Sequence, residues 1–428
     1  KALHFICLYY ENNSSLVAIE MISIIISAGQ AKRLRPLTET RLKGSLPILN
    51  EPILVRMADM LEKTSLLEKL VIVVSSGQEE EIKSLFTSRS YYSKVFTTVQ
   101  DPPRGTADAV AQGEKFIDSA PFCLVMNGDV LSPLDEIIPR LISHHNNLAA
   151  KCSMVVFPGE STRYGLLQIT NEGKVLSLRE KAKINLNNEE QGYINAGIYW
   201  FPKEIFDVIR ETPISERGEY EITDSITLQG KGGSIGAIIT NTWMSIENPI
   251  DLFNAQLFFT PFLDLSCMQF HSGSEIGFKA AEDIYFEADT SIEFSSIRIS
   301  GPVLIGKGTL IETGSEIGPR AFIGRNCEIG SRVKIAETLL MNDTRIGQDC
   351  SLFSVIAGED LVMGSSTFIS PINANEKLFT EPRNRDKLEE FVVIGGKTII
   401  TNNVSISKGM KIPAHSVISN ENLEEKSK

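Results

Sequence analysis

No apolar run in the 428-residue chain reaches the roughly 18 residues that a membrane-spanning helix requires. Cations are also in deficit. The sequence holds 42 Lys and Arg against 54 Asp and Glu, a net charge of −12. Such a chain lacks the basic face that the nucleic-acid backbone demands, although one local basic loop would serve a small phosphate-bearing ligand. Cysteine is sparse, and Cys7, Cys123, Cys152, Cys267, Cys327 and Cys350 show no CxxC and no pairing rhythm. This pattern speaks against a zinc site and for free thiols in a reducing, cytoplasmic setting. Only five histidines occur, and none lies between positions 272 and 414. With 42% apolar and 22% charged residues the composition excludes general disorder. The length predicts two or three domains.

Residues 1–20 read as an extension ahead of the first convincing strand, with Met21 as an alternative start. The apolar stretch Leu3 to Tyr10 has one cation before it and no small-residue cleavage pattern after it, which speaks against a signal peptide. From Met21 to about residue 258, apolar runs alternate with helical patterns. MISIIIS (21–27), LVIVVSS (70–76), KVFTTVQ (94–100) and FCLVMNGD (122–129) read as buried strands. Residues 51–63, 79–86 and 107–117 read as helices. This rhythm predicts a largely parallel sheet with helices on both faces, whose ligands bind beyond the carboxyl ends of the strands.

Beyond residue 280 the period changes. Ile299, Ile305, Ile311, Ile317, Ile323, Ile329, Ile335 and Met341 follow each other six apart, and Gly306, Gly318, Gly324 and Gly330 each follow an isoleucine. The phase slips near Ile346 and resumes at Ile394, Ile400, Ile406, Ile412 and Ile418. Neither helix nor ordinary strand has a period of six, whereas a hexapeptide-repeat parallel β-helix does. The reading is therefore an α/β chain in five parts. An extension (1–20) precedes a sheet domain (21–258), a connector (259–280) leads to a β-helix (281–420), and a tail follows (421–428). The charged stretch 370–390 reads as a loop projecting from a coil.

After the first strand comes SAGQAKRLRPLTETRLKGSLPI (27–48), where Arg33, Arg35, Arg41 and Lys43 crowd a loop in an otherwise acidic protein. Backbone N–H groups after a parallel strand can point at a phosphate, and Gly29 permits close approach. Arg supplies a planar fork to phosphate oxygens and Lys a mobile charge.

The string AGQAKRLRPLT…RLKGSLPILNEPIL resembles the signature of sugar-1-phosphate nucleotidyltransferases, A-G-x-G-x-R-L-x-P-L-T followed by P-K-x-x-x-P. The pairing with a hexapeptide β-helix is similar to the bifunctional nucleotidyltransferase/N-acetyltransferases, and ISERGEYEITDSI (214–226) to their archaeal branch. The resemblance implies a Rossmann-like nucleotidyltransferase domain followed by a left-handed parallel β-helix. It implies that Arg33 and Lys43 are catalytic, that Ala28, Gly29, Gln100, Gly105 and Thr106 (in QDPPRGTADAV) bind the nucleotide, and that Asp129 in MNGDV is a Mg²⁺ ligand. Gly165, Glu180 and Asn195 would bind the sugar. The substrates implied are UTP or dTTP with glucose-1-phosphate or N-acetylglucosamine-1-phosphate, and the assembly implied is a homo-oligomer such as a trimer.

The sequence departs from that pattern at three places. Ala31 stands where relatives have a second Gly, Leu42 stands where they have Pro, and Ser245 in WMSIENP occupies the position of a second Mg²⁺-binding Asp. On the β-helix, Gln348 and Asp349 lie nearest the place of the histidine base for acetyl transfer. Gln cannot accept a proton. These departures motivate an alternative, a non-catalytic paralogue that senses sugar nucleotides or serves in assembly. A third reading, an acetyltransferase acting through the β-helix, stands behind both.

Overall fold

The computed structural model describes residues 21–118, 120–160, 166–179, 191–260, 268–269, 284–287, 290–292, 296–370 and 388–421. The N-terminal extension, most of the connector, nearly all of the 370–390 loop and nearly all of the tail lie outside them. The chain divides into two compact units, Lys1–Gln30 with Ile53–Ser245, and Ala31–Pro52 with Ile246–Lys428.

The first unit is built on a nine-stranded sheet. The four apolar runs read from the sequence form its parallel half. Met21–Ile26 lies between Leu67–Val74 and Phe122–Asn127, and Val95–Val99 pairs with the outer edge of Leu67–Val74. Numbered in chain order these strands run 3-2-1-4, the order of a Rossmann-like half-sheet. Each is near-continuous in apolar side chains because helices cover both faces, among them Ile53–Lys63, which buries Ile53, Leu54, Met57 and Leu61.

The other half is mostly antiparallel, with Ile235–Ile239 alone running parallel to its neighbour Cys152–Glu160, which the strand–helix rhythm did not announce. Gln191–Pro202 runs against both Phe122–Asn127 and Cys152–Glu160, and Val175–Arg179 with Leu166–Ile169 closes the edge. In Gln191–Pro202 the register against Cys152–Glu160 jumps between Asn195 and Tyr199. Gly197 sits there at φ 71°, and a Cβ on it would lie 2.5 Å from Asn127 Nδ2. Glycine is therefore required for the strand to pass.

The second unit contains the parallel β-helix. Three ladders run along it, one per face. Ile299, Ile317, Ile335, Leu352, Ile369 and Ile406 stack on one. Ile311, Ile329, Ile346, Met363, Ile400 and Ile418 stack on the second. Ile305, Ile323, Leu340, Ala357, Ile394 and Ile412 stack on the third. These residues form one continuous apolar core.

The six-residue template errs at one position. Leu340, not Met341, pairs with Ile323, so the step shortens to five residues between Ile335 and Leu340, ahead of Ile346. The same shortening recurs between Leu352 and Ala357. The coils stay stacked because the glycines at the corners let adjacent turns approach. A Cβ at Gly306 would lie 2.5 Å from the carbonyl carbon of Gly324.

The same unit takes in the helix Pro249–Phe259, started by a capping box in which Asn248 accepts from the Asp251 N–H and Asp251 accepts from the Asn248 N–H. Phe253 on this helix packs against Phe322 and Phe391 of the β-helix at 5.9 and 5.1 Å between ring centres. Among the described residues no helix is long and apolar enough to cross a membrane.

Candidate active site

In a sheet of this order, ligands bind where chain direction diverges, outside the carboxyl ends of strands 1 and 4. The two strand ends are tied together there. The Gly128 N–H donates to the Ile26 carbonyl at 2.9 Å, and Ser27 N–H donates to Val73 at 2.7 Å. Beyond Ile26 come Ala28, whose carbonyl accepts from the Ser75 hydroxyl at 2.8 Å, and Gly29, beside which a Cβ would meet nothing within 4 Å. Open space beside backbone at the end of a buried strand is what a phosphate needs to approach main-chain N–H groups.

Asp129 follows Gly128 at the end of strand 4 and is half-buried. The next residue, Val130, is the register partner of Ser245, in a short antiparallel ladder of Val130–Leu131 with Met244–Ser245. The ladder is braced by the Ser132 hydroxyl donating to the Thr242 carbonyl at 2.6 Å and by the Trp243 indole N–H donating to the Ala196 carbonyl at 2.8 Å. Among the described residues no cluster of three or more His, Cys, Asp or Glu is arranged to hold a metal. A cation at Asp129 would therefore draw most of its ligands from elsewhere.

Gln100 lies at the end of strand 3 and is 4% exposed. Its amide nitrogen donates to the Gly105 carbonyl at 2.9 Å and to Asp108 Oδ2 at 2.8 Å. Both partners are acceptors, which fixes the orientation of the amide and leaves the Gln100 carbonyl oxygen as the group to meet a ligand N–H. Asp108 is held in turn by Arg104 at 2.7 Å. Gly105 adopts φ 116°, and a Cβ there would lie 2.5 Å from the Tyr220 carbonyl oxygen. The Thr106 hydroxyl accepts from the Ile222 backbone N–H at 2.9 Å, so it fastens 214–226 to this loop rather than pointing outward. Asn195 has both ends of its amide engaged at the bulge. Its nitrogen donates to the Tyr199 hydroxyl at 2.8 Å, and its oxygen accepts from the Gly197 N–H at 3.0 Å. Gly165 and Glu180 lie outside the described residues.

Eight of the described candidate residues thus belong to the sheet unit. Ala28, Gly29, Gln100, Gly105, Thr106 and Asp129 follow the ends of its parallel strands, and Asn195 and Ser245 sit on the antiparallel strands beside them. Arg33 and Lys43 belong to the other unit. Arg33 is 78% exposed at its side chain and donates to Glu247 Oε2 at 2.8 Å. An ion pair so open to water contributes under about 1 kcal/mol, little enough for a triphosphate to displace. Lys43 opens a single 3₁₀ turn, Lys43–Ser45. Ala31 adopts the left-handed conformation at φ 47°, ψ 33°, the conformation that favours glycine. Arg41 directs its guanidinium to the β-helix. It reaches Glu359 and Met341 on the β-helix at 3.5 and 3.6 Å.

One residue passed over in the sequence is Asn127, whose side-chain oxygen is buried with no hydrogen-bond partner directly before Gly128 and Asp129. A buried acceptor left unpaired costs about 1–3 kcal/mol, and nothing in the local pattern distinguishes this Asn from an ordinary strand-end residue. On the β-helix, Gln348 lines a shallow concavity of about 430 Å³ with Glu328, Arg345 and Ser365. Asp349 is held by both arms of Arg332 at 2.6 and 2.8 Å, which lowers its pKa. His415 is exposed at a coil corner.

A family model for nucleotidyl transferases matches residues 22–260. The chain belongs to that family. A second model, described as the GMPPB C-terminal domain, matches residues 299–428. Over most of its length the nucleotidyltransferase chain is similar to a bifunctional sugar-1-phosphate nucleotidylyltransferase/acetyltransferase of Sulfurisphaera tokodaii, with 29% identity covering 93% of this chain and 96% of the relative. It is also similar to a bifunctional protein GlmU of Methanocaldococcus jannaschii, with 27% identity covering 92% of each. Among solved structures, a putative glucose-1-phosphate thymidylyltransferase from Bacillus anthracis aligns with a TM-score of 0.48 at 23% identity, covering 55% of this chain and 94% of that one.

Proposed function

We propose that the protein is a Mg²⁺-dependent sugar-1-phosphate nucleotidyltransferase that makes a nucleoside-diphosphate sugar from UTP or dTTP. A phosphate oxygen of the sugar-1-phosphate attacks the α-phosphorus. The bond from that phosphorus to the bridging oxygen breaks, and pyrophosphate leaves with that oxygen. The observation that carries this reading is the arrangement at the ends of strands 1 and 4, where the open backbone of Gly29 and the Asp129 carboxylate follow directly on two strands tied by the Gly128 N–H. The name of the Sulfurisphaera relative supports the same chemistry.

In this reading Arg33 binds the β- and γ-phosphates and Lys43 neutralises the α-phosphate or the sugar phosphate. Positioning and charge neutralisation carry the rate, since the protein forms no covalent bond. Magnesium fits Asp129. It takes one or two carboxylates and completes its octahedron with water and substrate phosphate, which suits a single carboxylate followed by a residue registered against the neutral Ser245. When bound, such an ion offsets charge on the transferring phosphate. The Gln100 carbonyl oxygen selects a base that presents a ring N–H. Uracil and thymine do so at N3 and guanine at N1, whereas cytosine and adenine present an acceptor, so this contact rejects CTP and ATP but not GTP. Gly165, Glu180 and Asn195 are assigned to the sugar.

The second β-helix face supports the proposal of a homo-oligomer. There Val362, Ile399 and Val417 stack in one outward column and are 41%, 46% and 56% exposed. Such a column is apolar enough to be covered by a second copy.

The test mixes purified full-length protein with Mg²⁺, each of UTP, dTTP, GTP and CTP, and either glucose-1-phosphate or N-acetylglucosamine-1-phosphate, and measures pyrophosphate release. Turnover with UTP or dTTP is expected, and Asp129→Ala and Lys43→Ala should each abolish it. Silence across every pair would overturn the reading in favour of a non-catalytic paralogue, and wild-type rates in both variants would overturn the roles given to Asp129 and Lys43.

A further inference from the structure

The segment that carries Lys43 is seated on the β-helix by a set of contacts to which the proposed chemistry assigns no role. Glu39 Oε2 accepts from the Ala414 backbone N–H at 2.8 Å. Two residues on, the Arg41 guanidinium reaches Glu359 Oε2 at 3.5 Å and the Met341 sulfur at 3.6 Å. Both members of the ion pair are largely shielded, with side-chain exposures of 22% and 15%. Glu359 is in turn anchored from below, since its own carbonyl accepts from the Lys397 N–H at 2.8 Å. The neighbouring Gly396 makes the seat possible. A Cβ there would lie 2.5 Å from the Thr40 hydroxyl and 3.1 Å from the Glu359 carboxyl carbon. Thr40 Oγ1, Arg41 Nε and Glu359 Oε2 have no hydrogen-bond partner although all three atoms are buried. The pair is thus an electrostatic contact, too long for a strong hydrogen bond, held where water cannot replace it.

We propose that Glu359 is a positioning residue for nucleotidyl transfer. Through Arg41 it fixes the segment 39–43, and with it the orientation of Lys43. The inference rests on the role given to Lys43 above. A lysine is a point charge on a flexible stem, so its aim depends on the backbone that carries it. Misplacement by about 1 Å can cost on the order of 100-fold in rate. The β-helix corner formed by Glu359, Gly396 and Ala414 on successive coils therefore acts on the reaction without touching substrate.

The experiment compares the full-length wild type with Glu359→Gln, with Gly396→Ala, and with the charge swap Arg41→Glu/Glu359→Arg. Two readouts are taken. The first is steady-state kinetics on the active substrate pair. The second, independent of turnover, is hydrogen–deuterium exchange over 38–46 together with the acylation rate of Lys43 by an amine-reactive ester. Glu359→Gln should lower kcat about 10- to 100-fold with KM for the nucleotide within about threefold, and should raise exchange over 38–46. Gly396→Ala, which keeps both charges but displaces Thr40 and crowds the Glu359 carboxylate, should do the same. The charge swap should recover at least a tenth of wild-type kcat and restore slow exchange. Wild-type kcat in Glu359→Gln overturns the proposal, and so does unchanged exchange over 38–46. Should the wild type prove inactive with every pair, the functional reading fails by itself, and the exchange and acylation data alone decide whether Glu359 holds the segment.

Discussion

Replacing Ala31 with glycine is a direct test of the loop conformation. Ala31 sits at φ 47°, ψ 33°, and its carbonyl accepts both from the Leu34 N–H at 3.0 Å and from the Thr38 hydroxyl at 3.1 Å. Those bonds hold the residue in the left-handed region, where a Cβ crowds the following carbonyl at a cost of about 1–2 kcal/mol. Glycine removes that cost but gives the unfolded chain more freedom, worth about 0.4–1 kcal/mol. The balance is a gain of about 1 kcal/mol. For a unit on the order of 200 residues, that is roughly 2–4 °C in Tm. Differential scanning calorimetry on wild type, Ala31→Gly and Ala31→Val measures it, with valine expected to lower Tm because a β-branched side chain suffers more in this region. The strain exists with or without nucleotide, so KM for the triphosphate should stay within about twofold. A lower Tm for Ala31→Gly would refute the strain. A KM falling more than tenfold would instead put the methyl group in the path of the phosphate.

Two further outcomes follow from buried titratable groups. His145 is buried against Ser153 and Phe122, and burial, with His144 adding to it, pushes its pKa down to about 4. In the unfolded chain it titrates near 6.5, so the unfolded state takes up protons first as pH falls. Stability is therefore lost between about pH 6.5 and pH 4, by on the order of 3 kcal/mol. Denaturant melts across that range should show the slope in wild type and lose much of it in His145→Gln; an equal slope in both would exclude this origin. Burial likewise pushes the thiols of Cys123, Cys152 and Cys327 up to about 12 and raises that of Cys350. At pH 8 all four should resist alkylation in the native protein and react once it is unfolded. Modification of Cys123 within seconds under native conditions, located by mass spectrometry, would contradict its burial.

What could be read from the chain was whatever its physics writes locally. The strands 21–26, 67–74, 95–99 and 122–127 are buried on both faces and so appear as unbroken apolar runs, and their carboxyl ends lead directly to Gly29, Gln100 and Asp129. The β-helix was legible because most inward residues obey one step of six. It misled only at Met341, where Leu339, Leu340 and Met341 are all buried and the spacing alone could not tell which one turns inward. Hidden from the sequence were the contacts that decide what each polar group is occupied with. Gln100 was singled out by its motif, but that its amide nitrogen is spent on Gly105 and Asp108, leaving the carbonyl oxygen as the acceptor, depends on a loop closing back on itself. Thr106 sits in the same motif, yet its hydroxyl is consumed by a backbone N–H 116 positions away. Arg41 shows the limit best. Four cations in one loop read as a phosphate cradle, because like charges in an acidic chain have no other evident purpose. One of them is instead paired with a glutamate on a β-helix corner and set against a methionine 300 positions on. A local charge count cannot register a partner at that distance, so a residue that looked like part of a phosphate cradle is instead engaged on the β-helix.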